Sequence, residues 1–325
     1  MANIVQSKFS AFLLAFLMAT ISFSASISSW DFSTLEEKSV FHTYSTNSNV
    51  DLVLGRASII PTDLVGNTST GTFETESEID SLRFTSSPIE SFDKFTFSTH
   101  SWSAYACGIF IDGELKCWGA NTYGQLGIGP NTISYSYAIP QTVDLGVGRT
   151  AISVSAGSLH TCAILDDGSL KCWGYNNYGQ LGIGSNTNQI TPQTVVIGIG
   201  RTAVSVSAGT THTCAVLDDS SLKCWGYNQF GQLGIDTTTN HNTPQTVHLR
   251  VGRTAVSVSS GYYHTCAVLD DGSLDCWGYN THGQLGIGTT TNHNTPQTVD
   301  LGVGRTAVSV ITGTSHTCAI LDDGR

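Results

Sequence analysis

An all-β repeat fold, a β-propeller of four full repeats and a partial fifth, is what this sequence predicts. Three observations carry that expectation. A long stretch of the chain repeats itself, each copy divides into short strand-like segments, and each complete copy contains one cysteine pair at one spacing. Gly is abundant, at 34 residues, and charged residues make up only 12%, a composition suited to tight turns between short strands.

The cysteines set the period. Cys162 follows Cys107 by 55 residues, and Cys214, Cys266 and Cys318 follow at steps of 52. Trp118, Trp173, Trp225 and Trp277 keep the same beat, as do "GQLGI" from Gly124, Gly179, Gly231 and Gly283 and "GRTA" from Gly148, Gly200, Gly252 and Gly304. The copies that start at Cys214 and Cys266 differ at 11 of 52 positions. Within a copy, "AVSVS", "HTCAVL", "LKCWGY" and "PQTV" read as four strands, about the content of one propeller blade.

One hairpin fixes the cysteine chemistry. In "HTCAILDDGSLKCWG" (160–174), Leu165 and Ser169 close a three-residue loop, Asp166-Asp167-Gly168, with Gly at the left-handed position. Counting outward, Ile164 faces Leu170, Ala163 faces Lys171 and Cys162 faces Cys172. Directly opposite cysteines in a non-hydrogen-bonded pair come within reach of a disulfide. The expected bridges are Cys107–Cys117, Cys162–Cys172, Cys214–Cys224 and Cys266–Cys276, with Cys318 unpaired. Free thiols and a metal site at His160, Cys162 and Cys172 are the alternatives. Closely spaced ligand pairs, the usual announcement of zinc, are absent, and no metal is expected. The hairpin has two apolar faces, Cys162/Ile164/Leu170/Cys172 and Ala163/Leu165/Trp173, so each blade needs cover from both neighbours.

The N-terminus supplies the compartment. Lys8, an apolar run from Phe9 to Phe23 and the small residues Ser24-Ala25-Ser26 describe a signal peptide over 1–26. The run is short for a membrane span, and no stable span is expected after cleavage. A secreted, cell-surface or periplasmic home follows, where disulfides persist. Residues 27–93 form a Ser/Thr-rich acidic region with strand-like "VDLVLGRASII" and "FDKFTFS" at its end, and a sequon at Asn67. The repeats occupy 94–325. Net charge is −11 and neither part offers a basic patch, which disfavours binding to a nucleic-acid backbone, and no nucleic-acid partner is expected.

The block "HTCAILDDGSLKCWGYNNYGQLG" (160–182) resembles the repeat of the regulator of chromosome condensation family: His-Thr, a Gly turn, Trp-Gly, then Asn-x-x-Gly-Gln-Leu-Gly. The resemblance spans about 94–325 and implies a seven-bladed propeller in full-length members. The paired cysteines are a departure, similar to those of secreted prokaryotic members. Guanine-nucleotide exchange, as in the founding member, is the alternative function the resemblance implies. No insertion resembling that member's GTPase-contacting wedge is present, and a secretory leader stands in front. With four Trp-Gly units and a fifth copy reaching "HTCAILDDGR", the propeller is expected to be incomplete or open, in a truncated chain; the alternative is that residues 27–93 supply missing strands and cover the open edge.

Positions that vary between near-identical copies are free to specialise. Tyr123, Tyr178, Phe230 and His282 occupy one such position, and Tyr262 and Tyr263 another. Both lie in loops beside Gly, and aromatic rings on one rim suit an extracellular or cell-surface protein partner. A glycan binder or a structural envelope protein are the alternatives, as is simple packing of each ring between blades. The paired Asp residues of the turns (166/167, 218/219, 270/271, 322/323) read as turn chemistry rather than calcium ligands. Arg149, Arg201, Arg253 and Arg305 read as partners of nearby carboxylates or carbonyls rather than an anion-binding ring. Ser220 replaces Gly in one turn, which makes that hairpin the most strained. An enzyme would need an asymmetric constellation, and these copies are nearly symmetric. Neither catalysis nor a cofactor is expected.

Overall fold

The computed structural model describes residues 49–53, 56–60, 71–72, 92–98, 104–130 and 135–324. The leader over 1–26 and the sequon at Asn67 lie outside the described residues. The chain divides into two units, residues 1–92 and 93–325. In the first, β1 (Asn49–Val53), β2 (Arg56–Ile60) and β3 (Gly71–Thr72) form a small antiparallel sheet, with Asp51 opposite Ser58. Both strand-like halves of "VDLVLGRASII" are thus strands, paired antiparallel.

The repeats build five further sheets. The first holds β4 (Phe92–Phe97), β5 (Tyr105–Phe110), β6 (Leu115–Ala120) and β7 (Ser136–Thr142) in that order. "FDKFTF" therefore serves the first blade as its first strand. The second blade is β8 (Ala151–Ala156), β9 (His160–Leu165), β10 (Leu170–Gly174) and β11 (Gln189–Thr194). The third is β12 (Ala203–Ala208), β13 (His212–Leu217), β14 (Leu222–Gly226) and β15 (His241–Thr246). The fourth is β16 (Ala255–Ser260), β17 (His264–Leu269), β18 (Leu274–Gly278) and β19 (His293–Thr298). The fifth sheet has two strands, β20 (Ala307–Thr312) and β21 (Thr317–Leu321). No helix occurs among the described residues, so none is long and apolar enough to cross a membrane. The architecture is an all-β propeller of incomplete ring.

The hairpin register follows from its turn. The Leu165 N–H donates to the Ser169 carbonyl (2.9 Å) and the Gly168 N–H to the Leu165 carbonyl (2.9 Å), which places Cys162 opposite Cys172. Gly168 takes φ +75°, and Ser220 is forced to φ +62° at the same position. All four cysteine pairs are bonded, with Cα atoms 4.1 Å apart in each. Cys318 is free and exposed.

Blades pack as the two apolar faces require. Cys162, Ile164, Leu170 and Cys172 of the second blade meet Ala215, Leu217 and Trp225 of the third in one buried cluster. Ala163, Leu165 and Trp173, on the other face, pack against Cys107, Ile109, Leu115 and Cys117 of the first. The third and fourth blades repeat the arrangement with Trp277. Trp118, Trp173, Trp225 and Trp277 are fully buried, and burying a large ring contributes about 2–3 kcal/mol.

Candidate functional site

The strands alternate in direction, so loops joining first to second strands and third to fourth strands share one face of the stack. The Asp-Asp-Gly turns and "GRT" loops lie on the other. The two faces differ in chemistry.

The turn face is charged and self-paired. Arg149 bridges Asp166 (3.2 Å) and Asp167 (3.1 Å), and Arg253 bridges Asp270 (3.4 Å) and Asp271 (3.0 Å). Arg201 contacts Asp219 at 3.1 Å, and Arg305 pairs with Asp323. Asp167, Asp219 and Asp271 also accept the N–H groups of Ser169, Ser221 and Ser273. Bonds from those serines, with the nearby arginines, hold all three carboxyls below the usual range. These groups pair with one another, as the repeated arginines were expected to do. The fourth blade carries a local exchange: Asp275, fully buried where other copies have Lys, bonds Arg250 at 3.1 Å where other copies have Gly.

The other face carries the "YNxxGQLG" loops, which the motif itself makes rigid. Buried Asn176 accepts the Leu181 N–H (2.9 Å) and donates to the carbonyls of Ser185 and Thr187. Gln180 Oε1 accepts the Tyr178 N–H at 3.1 Å, so the aromatic residue sits on a fixed backbone. Tyr123, Phe230 and His282 are held identically by Gln125, Gln232 and Gln284.

The Gln backbone carbonyl has a second task. The Gln180 carbonyl accepts both Thr213 Oγ1 (2.7 Å) and Trp225 Nε1 (2.9 Å) of the next blade. His160 Nε2 lies 2.8 Å from the same threonine hydroxyl. The hydroxyl proton is committed to the carbonyl, so Nε2 must donate, leaving the histidine neutral with a bare, buried Nδ1. Burial pushes His160 and His212 down to about 3 and, with neighbouring His316, His264 to about 4. Tyr105 stands in for histidine in the first blade and donates to the His160 carbonyl at 2.6 Å. His160, His212 and His264 are therefore clamps between neighbouring sheets, and His160 turns to Thr213 while Cys162 is bonded to Cys172.

Stacking the blades joins the sequence-selected rings into one ridge. Tyr123 meets Tyr175 edge-on at 4.9 Å, and Tyr178 meets Tyr227 at 4.9 Å. Phe230 contacts Tyr279 at 4.8 Å and Tyr263 at 5.0 Å, Tyr262 contacts Tyr263 at 4.1 Å, and His282 closes the row against Tyr279 at 6.1 Å. The rings do pack between blades, yet they remain part-exposed, Tyr123 at 37%. Partial burial, with neighbouring phenols, raises the hydroxyls of Tyr175 and Tyr227, and burial with the Tyr262 hydrogen bond raises that of Tyr263. Sequence reasoning missed Tyr175, Tyr227 and Tyr279, which link the row. Their signal was the Tyr before Asn in "GYN", repeated without variation in three copies.

Comparison with known proteins matches this architecture to one family. The RCC1-like domain pattern covers residues 70–325. The ultraviolet-B receptor UVR8 of Arabidopsis thaliana is 33% identical over 223 residues, 67% of this chain and 50% of the receptor. The human E3 ubiquitin-protein ligase HERC2 is 32% identical over 219 residues, 67% of this chain but 4% of the ligase. This chain thus spans half or less of these relatives. Among solved structures, human WBSCR16 superposes with a TM-score of 0.64 at 19% identity, over 82% of this chain and 69% of that one. Yeast RCC1 (Prp20), solved with Kap60, gives 0.60 at 20% identity, over 71% and 54%.

Proposed function

This chain belongs to the RCC1-like domain family, and on that premise we propose that it is a secreted recognition module whose aromatic ridge binds a protein partner at or beyond the cell surface. The observation that carries the proposal is the ridge itself. Edge-to-face and tilted rings run without a break from Tyr175 to His282, with Tyr123 at one end, on loops fixed by buried Asn and Gln side chains. Rigid aromatic groups with part of each ring in water are the usual anchors of protein interfaces, because little side-chain entropy is lost when they are covered. The self-paired turn face offers nothing comparable. Four bonded cysteine pairs support an oxidising compartment.

The test is capture from culture supernatant, identification of the retained protein by mass spectrometry, and rebinding with that protein purified. A triple variant Tyr178→Ala, Phe230→Ala, Tyr263→Ala should lose at least tenfold in affinity. Arg149→Gln with Arg201→Gln, on the opposite face, should keep it. Undiminished binding by the triple variant refutes the ridge as the site.

A further inference from the structure

The loops on the ridge side are almost bare of charge. Residues 121–135, 175–188, 227–240 and 279–292, which join third to fourth strands, include one acidic residue, Asp236, and no Lys, Arg or Glu. The shorter loops 157–159, 209–211 and 261–263 include no charged residue. Such a surface has little to hold an ionic ligand and favours a neutral one. Between the rings stand Asn177, Gln229 and Thr281, all exposed, which bring amide and hydroxyl donors instead.

Ring geometry narrows the ligand further. Within a blade the two rings lie 6.1 Å apart and cross at 68–73°. Between blades they lie 4.8–4.9 Å apart and cross at 60–63°. Crossed rings make a row of notches rather than the flat shelf on which a sugar ring stacks. A pyrrolidine ring, short and apolar, fits a notch between two aromatic rings. The notches also recur at a useful interval. Steps of 4.9 and 6.1 Å carry the ridge from one blade to the next, at most about 11 Å, and one three-residue turn of polyproline II covers about 9 Å.

We propose that the ridge binds a proline-rich segment of its protein partner in polyproline II conformation, one turn to a blade. The inference rests on reading the ridge as a protein-binding site and adds the chemistry of the partner. A polyproline II backbone makes no internal hydrogen bonds, so its carbonyls are free to accept from the side chains between the rings. Both surfaces are formed before they meet. Gln180 and Gln232 fix the backbone of Tyr178 and Phe230, and the helix of the ligand is set by its prolines, so little entropy is lost on docking.

The experiment uses the full chain and three probes. A fluorescein-labelled proline dodecamer should bind saturably by anisotropy, at least tenfold more tightly than a labelled proline hexamer, because it reaches twice as many blades. A labelled Gly-Ser dodecamer should not bind, and excess cellohexaose should not displace the proline dodecamer. Tyr178→Ala with Phe230→Ala should weaken dodecamer binding at least tenfold. Asn177→Asp with Gln229→Glu, which leaves every ring in place, should weaken it at least fivefold. Arg149→Gln, on the opposite face, should leave it unchanged. No saturable binding of the dodecamer, equal binding of the Gly-Ser peptide, or undiminished binding by both double variants overturns the proposal. Displacement by cellohexaose overturns it in favour of a glycan. A captured protein that rebinds through the ridge while the proline dodecamer does not would remove the proline assignment and leave the ridge as a protein site.

Discussion

Lowering the pH from 7.5 to 5 should destabilise the stack through its buried histidines. His160, His212 and His264 are neutral clamps whose Nδ1 atoms are buried without a hydrogen-bond partner. Their folded-state values, about 3, 3 and 4, lie below the unfolded value of 6.5. Between these limits the unfolded chain binds more protons, so the stability they contribute is complete above pH 6.5 and falls as pH falls toward 3. At pH 5 the unfolded state gains about 2 kcal/mol per ring, or about 6 kcal/mol for three. The depressed carboxyls act only below their ordinary value of 3.8, so they do not contribute in this window. Guanidinium unfolding of the oxidised protein at pH 7.5, 6 and 5 measures the slope. His212→Gln, which keeps a donor for Thr265, should remove about a third of it. A free energy that stays flat from pH 7.5 to 5, or an unchanged slope in His212→Gln, refutes the reasoning.

Three other perturbations test separate parts of the fold. Ser220→Gly relieves a positive φ of 62° and should stabilise the third blade by about 0.5–1 kcal/mol, raising the thermal midpoint; Gly168→Ser, whose Cβ would meet Thr202 at 2.5 Å, should do the reverse. Arg250→Ala leaves the buried Asp275 carboxylate without its cation and should cost about 2–3 kcal/mol in chemical denaturation. Adding Asp275→Lys restores the residue found in the other blades and should recover most of that loss. Replacing Cys162 and Cys172 together by Ala should cost about 2–3 kcal/mol from lost chain restraint, read as a lower denaturation midpoint that reductant no longer shifts for that hairpin.

The fold was legible wherever one hairpin contained its own instructions. The Asp-Asp-Gly loop fixes the register that sets Cys162 opposite Cys172, and the alternation of apolar residues assigns both faces. The strain at Ser220 could be read in the same way, from a turn that needs a left-handed residue. What could not be read depends on neighbours that stacking alone supplies. The His160–Thr213 bond and the Trp225–Gln180 bond link residues 53 and 45 apart, in different blades. Tyr175, Tyr227 and Tyr279 looked like part of the repeat's framework because they do not vary, yet they are what turns separate rings into a ridge. "FDKFTF" was recognisable as a strand, but its sequence shares little with "AISVSA", so its place as the first strand of the first blade was not.

The account stands on hairpins stapled by sulfur and stacked face to face, which thiol counting measures directly. Freshly isolated protein, unfolded in the presence of iodoacetamide without reductant, should gain one carbamidomethyl group, on Cys318, and nine after reduction, one for each cysteine of the chain. Nine groups before any reductant is added would contradict it.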